Sequence, residues 1–251
     1  MNDTEPILAP VRPRPARKDW IDLGLYLALG PALLLLVDLG LAHLFKGHAF
    51  AVAWSYLLNI LFFAGAPILV AAWRKSFTWE ELGIAPIRWR WRWLVLAGGV
   101  VIVLLPVRAG LGLLVQSLLP GGMESLMQGA RMQSLVPQTF TWSGFLSTIL
   151  LGGILVPAAE ELFFRGAVHT WVRRFVPPWA AVLISSTVFA LGHADTFVVI
   201  LTSFILGAVN AVLLDRTRSL WVPFAVHAFN NSLAFALVYL AAAVQSSGLI
   251  P

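Results

Sequence analysis

The chain has 251 residues, 59% of them hydrophobic and 12% charged, with a mean hydropathy of +0.83. Soluble domains carry about 25% charged residues, so an ordinary soluble fold is excluded and a multi-pass membrane protein is expected. The net charge of +5 fits basic residues gathered on cytoplasmic loops without a nucleic-acid partner, and the lack of cysteine excludes disulfides, thiolate metal sites and a cysteine nucleophile.

Residues 1–19 combine Pro6, Pro10, Pro13 and Pro15 with Arg12, Arg14, Arg17 and Lys18. Such a composition cannot build a packed core, and it reads as a disordered basic tail. The first apolar run follows this tail and is too long for the h-region of a signal peptide. Residues 20–251 read as a single membrane-embedded domain. Apolar runs at 20–45, 50–73, 93–118, 142–172, 178–194, 196–214 and 220–245 give seven spans, where the length leaves room for about seven or eight. The expected fold class is therefore an all-α, multi-pass transmembrane helical bundle.

Within the third run, Pro106 predicts a kink, and Arg108 must face protein or water rather than lipid. The connection from Arg74 to Arg92 ends in Arg88-Trp89-Arg90-Trp91-Arg92, whose alternation of base and indole suits the headgroup region. Residues 119–141 form the longest polar connection, with room for a surface helix or a lid. The tail, the 74–92 loop, Arg165, Arg173, Arg174, Arg216 and Arg218 collect basic charge on one side, against Lys46 and Arg131 on the other. The positive-inside rule then puts the N-terminus in the cytoplasm. No internal repeat is present, and the sequence carries no signal of oligomeric state.

Chemistry concentrates in the second half. Glu160, Glu161 and Arg165 interrupt the fourth apolar run, and intramembrane charges are costly enough to make a functional site the first hypothesis. The bland alternative is an ion cluster at a helix end. On a helix, Glu161 and Arg165 stand at i,i+4 with acid before base and neutralise each other. Glu160 projects about 100° away, on a face shared with Phe164. The same spacing relates Phe189 to His193, His193 to Phe197 if that helix continues, and His227 to Asn231. Each histidine alone fits a hydrogen-bonded packing residue. Two carboxylates, two histidines and an amide on three spans are hard to bury without meeting one another.

A carboxylate and an imidazole converging on one water can orient it and take its proton, and Glu160 with His193 can supply that pair. An imidazole and an amide from another helix, His227 and Asn231, can donate to the oxyanion formed when a peptide carbonyl is attacked. Two imidazoles and a carboxylate are also a zinc ligand set, so spacing alone leaves a metal-dependent variant open. The chain has no H-E-x-x-H helix and no G-x-S-x-G elbow.

The three motifs, E-E-x-x-x-R from Glu160 to Arg165, F-x-x-x-H from Phe189 to His193 and H-x-x-x-N from His227 to Asn231, occur in order across residues 142–235. In these the chain resembles the CAAX-protease and bacteriocin-processing (Abi) family of intramembrane endopeptidases, which includes the type II CAAX prenyl endopeptidases. The resemblance implies Glu160 as the water-activating glutamate, His193 as its partner, His227 and Asn231 as oxyanion stabilisers, and Glu161 with Arg165 as structural support. The Asn231 amide and the lack of a helix carrying two metal-binding histidines favour a site with no metal or other cofactor, zinc remaining open. It also puts Gly207 and Asn210 where the family has a small or polar residue near the site. The implied partners are the bilayer and a peptide or lipidated-peptide substrate, prenylated CAAX-type or otherwise membrane-associated, and the implied location is a bacterial inner membrane.

One expectation strains this picture. On a simple topology Glu160 and His193 lie 10 to 15 Å apart along the membrane normal, at about 1.5 Å rise per residue. They can meet only if the 142–172 helix is long and the Gly192–Asp195 turn is buried in a cavity. The rival class is non-enzymatic: a membrane scaffold, an immunity protein or a proton-coupled carrier. A carrier would more often show inverted repeats and helices broken in both halves.

Overall fold

The computed structural model describes residues 16–41, 48–84, 91–118, 140–193 and 195–246. Seven helices and no strand occur among the described residues. Helix α1 is Arg17–Leu41. Helix α2 joins an α segment, His48–Ile60, through a π-helical turn, Leu61–Gly65, to a second α segment, Ala66–Arg74. Helix α3 is Trp91–Leu118, α4 is Trp142–Arg173, α5 is Pro178–Leu191, α6 is Phe197–Thr217 and α7 is Trp221–Ser246. Five of the described helices are long and apolar enough to cross a membrane, and the chain is a multi-pass membrane protein.

The seven helices follow the seven apolar runs. Of the basic tail, residues 1–15 lie outside the described residues; α1 already begins at Arg17, with Asp19 buried in its first turn. The 119–139 connection, where a lid is expected, also lies outside, as do residues 85–90 of the base-and-indole stretch. Arg92 lies over the Trp93 ring at 4.8 Å, and Trp91 is exposed, consistent with an interfacial start to α3.

Helix α4 organises the bundle. Its 32 residues alternate α and π segments: π over Ile149–Leu155, α over Val156–Glu161, π again over Leu162–His169. Proline explains the first change. Pro157 has no N–H to give to the carbonyl of Gly153, and its ring would press on that carbonyl in a regular α turn. The wider π turn relieves the clash, and the Gly153 carbonyl accepts from Ser232 Oγ of α7 at 3.3 Å instead. Pro67 in α2 likewise follows a π turn. Pro106 differs, because it lies inside an α segment that runs from Trp91 to Leu118 with no π turn.

Helix α5 has only 14 residues. Pro177 and Pro178 start it, and it ends at Leu191, before the turn that holds His193. Thr196 accepts a cap hydrogen bond from Val199 N and starts α6 afresh, so His193 and Phe197 do not share a helix face. Contrary to the expected burial of this turn, Gly192 is exposed and His193 and Asp195 are half-buried. Helices α5 and α6 pack closely at Gly207, where an added Cβ would lie 3.2 Å from Ser186 Cα. The core beside α4 is aromatic. Phe62 and Phe63 of α2, Phe163 and Phe164 of α4 and Phe189 of α5 form a chain of ring contacts between 4.3 and 5.8 Å.

One end of the bundle is tied by polar contacts. Arg74 pairs with Asp22 at 2.7 Å, Arg174 with Glu81 at 3.1 Å and Arg173 with Asp215 at 3.2 Å. Gly83, at φ +75, accepts from Leu220 N at 3.1 Å, and a Cβ there would sit 3.0 Å from that nitrogen. The start of α1, the ends of α2, α4 and α6 and the starts of α5 and α7 therefore lie together, as an up-and-down bundle requires.

Candidate active site

Glu160 and Glu161 sit where an α segment of α4 passes into its second π segment, and the helical twist sends their side chains to different neighbours. Both are fully buried, at 1% and 0% exposure, so each carboxylate must find partners within the protein.

Glu161 faces a ring of donors. Its Oε2 lies 3.2 Å from Arg165 Nε, which is the pair expected from the i,i+4 spacing. Its Oε1 accepts from Asn210 Nδ2 at 3.0 Å and from His227 Nδ1–H at 2.7 Å. Asn210 also donates to the Pro223 carbonyl at 3.3 Å, which holds α6 against α7 at the level of the site. The Arg165 guanidinium lies 4.2 Å from the centroid of the Phe189 ring, an aromatic face for a cation that has no access to water.

Glu160 faces the two histidines. Its Oε1 lies 3.7 Å from His193 Nε2, and its Oε2 lies 3.5 Å from His227 Nε2. His193 donates Nδ1–H to the Phe189 carbonyl at 2.8 Å, so the neutral ring turns the lone pair of Nε2 toward the carboxylate. Phe189 walls the site, its ring 4.4 Å from His193 and 5.6 Å from His227. Glu160, His193 and His227 thus converge from α4, the α5–α6 turn and α7. The separation of 10 to 15 Å along the membrane normal does not arise: α5 is too short to carry His193 to the far surface, and the long α4 holds Glu160 well inside the bundle.

Asn231 lies one turn beyond His227 on α7, and its Oδ1 accepts from Asn230 Nδ2 at 3.0 Å. Asn230 Oδ1 in turn accepts from Arg108 Nη1 at 2.7 Å. Arg108 faces protein, as its place in a span demands, and is joined to Asn231 through Asn230. No motif marks Asn230; the signal that could have found it is the need of an intramembrane arginine for an acceptor.

A second polar cluster was also missed. His169, 1% exposed, lies between Ser185 Oγ at 2.9 Å from Nδ1 and Asp215 Oδ1 at 3.2 Å from Nε2, and Arg173 Nε shares the same Asp215 oxygen at 3.2 Å. It ties α4, α5 and α6 together one end away from Glu160. Among the described residues, no group of three His, Asp or Glu side chains is disposed to hold a metal ion.

Chemically, a buried carboxylate with an imidazole nitrogen 3.7 Å from one oxygen and another 3.5 Å from the other is equipped to share a small polar molecule with them. Three side chains of the same set lie inside the segment that a known family matches. The model of the family described as type II CAAX prenyl endopeptidase Rce1-like matches residues 142–233. No curated protein and no solved structure matches the chain. The matched segment holds all three motifs and the convergent carboxylate and imidazoles, and over it the chain is similar to the type II, Rce1-like CAAX-protease family.

Proposed function

We propose that the protein is an intramembrane endopeptidase in which Glu160 and His193 activate a water that attacks a peptide carbonyl. The observation that carries this reading is the 3.7 Å between Glu160 Oε1 and His193 Nε2, with Glu160 fully buried in the bundle. A water about 2.8 Å from each of two atoms so spaced can donate to both and keeps a lone pair for a carbonyl carbon. The carboxylate takes the water proton as the C–O bond forms, and the same proton passes to the departing amine nitrogen when the C–N bond breaks. No proton is gained or lost over the cycle.

The charge that develops on the carbonyl oxygen needs donors. His227 has its Nδ1–H committed to Glu161, so Nε2 is the atom left for the substrate, and it donates when the ring carries both protons. The Asn231 amide, one turn away, is the second donor. Glu161 and Arg165 act as support, with Glu161 fixing the His227 ring by the hydrogen bond to Nδ1. Asn210 joins them, in keeping with its place near the family's site.

The family supports a peptide substrate that reaches the site from the membrane, either a prenylated CAAX-type chain end or another membrane-associated peptide. An N-terminus in the cytoplasm of a bacterial inner membrane is proposed from the distribution of basic residues. The test is hydrolysis of a peptide library, including prenylated members, by the purified protein in liposomes. Cleavage at a defined bond that is unchanged by a chelator is expected. Cleavage that a chelator abolishes and zinc restores would transfer water activation from the carboxylate to a metal. No cleavage of any peptide would leave the scaffold or carrier class in possession.

A further inference from the structure

Arg108 is an expensive residue for a membrane span, yet among the described residues its one hydrogen-bond partner is a neutral amide and not a carboxylate. If stability alone were served, an acid would neutralise it better. What an amide adds is direction. The two ends of an asparagine side chain are nearly equal in size, one accepting and the other donating, and the backbone of α7 does not choose between the two orientations. A guanidinium only donates. Facing Arg108, Asn230 must present Oδ1, and its Nδ2 then points the other way.

That second end meets Asn231, with Asn230 Nδ2 donating to Asn231 Oδ1 at 3.0 Å. The carbonyl of Asn231 is thereby occupied, and its NH2 group is the end left for a ligand; among the described residues that nitrogen makes no hydrogen bond. Asn230 is 5% exposed, so bulk water cannot reverse the order. We infer that Arg108 and Asn230 are positioning residues that set the Asn231 amide so that its NH2 group, and not its carbonyl, meets the oxyanion. The inference rests on the reading of Asn231 as an oxyanion donor. With the opposite orientation, a carbonyl lone pair would face the growing negative charge, which is worse than having no side chain there.

The deciding variant is Asn230→Asp in the full chain, reconstituted in liposomes. An aspartate accepts from Arg108 better than the amide does, but it has nothing to donate to Asn231, whose NH2 group then turns to the new carboxylate. The expected result is a protein as heat-stable as the parent with KM within about threefold and kcat lowered about 100-fold, the usual cost of one oxyanion donor. Arg108→Lys keeps a donor-only head and should hold kcat within about tenfold, whereas Arg108→Gln, free to flip, should fall well below it. The double variant Asn230→Asp with Asn231→Ala should be no slower than Asn231→Ala alone, since both act through one amide.

A stable Asn230→Asp protein with kcat within about threefold of the parent would overturn the inference, as would equal activity of Arg108→Lys and Arg108→Gln. Should Asn230→Asp fail to fold, the comparison of the two Arg108 variants decides alone. If Asn231→Ala leaves kcat unchanged while Glu160→Gln abolishes it, the oxyanion role falls, and this inference with it, while the glutamate mechanism stands.

Discussion

Two glutamates side by side in the sequence have different surroundings at the site. Glu161 is enclosed by Arg165, Asn210 and His227, while Glu160 looks out between His193 and His227. Their amide variants should therefore part company. Glu161→Gln leaves the Arg165 charge buried without its counterion, which costs about 3–5 kcal/mol, and thermal unfolding in detergent should show it. Glu160→Gln should unfold at close to the parental temperature and lose about 100- to 10,000-fold in kcat, read from peptide hydrolysis. The reverse pattern, with Glu160→Gln active and Glu161→Gln stable, would exchange the two roles. Spacing alone revealed the Arg165 partner, because i,i+4 neighbours on one helix are fixed by helical geometry. It could not reveal that His227 and Asn210 also reach Glu161, since those contacts depend on how α6 and α7 are rotated against α4.

At the scale of the helices, the apolar runs were legible because membrane spans must be continuous, and all seven became helices. The interior of α4 was not. Its first π segment arises from an interplay of Pro157 with a serine on another helix, and composition does not carry that. The end of α5 was legible only in part: the sequence allowed the helix to continue past His193, and a cap at Thr196 stopped it. The close approach of α5 and α6 makes Gly207 a test of whether helix spacing controls the site. Gly207→Val would force its side chain against Ser186 Cα and the Phe189 ring, which an added Cβ already meets at 3.2 and 3.3 Å. Stability should fall by about 1–3 kcal/mol. Hydrolysis should fall further than stability accounts for, because Phe189 carries the carbonyl that orients His193. Parental kcat in folded Gly207→Val protein would show that the histidine is held by something else.

For the whole molecule, the polar ties gather the starts and ends of six helices at one end of the bundle, and the basic residues on the same end suggest which compartment it faces. The parent has no cysteine, so single substitutions can be labelled without background. Lys75→Cys and Arg216→Cys, both at exposed positions, should react with an impermeant maleimide only when the cytoplasmic face is open. Ser143→Cys, at the start of α4, should react from the other side. Labelling of Lys75→Cys and Ser143→Cys from one side would refute the topology, and labelling of all three with sides exchanged would reverse the orientation alone.

The brevity of α5 has a consequence for the lipid around it. Fourteen residues of helix extend about 21 Å, against a hydrocarbon layer of about 30 Å. Beside α5 the bilayer must dimple or leave headgroups hanging above the 192–196 turn, and either response shortens the distance that water and a polar peptide backbone travel to His193. Lipid thickness then becomes a parameter of the reaction. Reconstituted in bilayers of progressively longer acyl chains, the protein should keep its fold while its kcat/KM declines. A rate indifferent to chain length would mean that the substrate reaches the glutamate by a route the surrounding lipid does not govern.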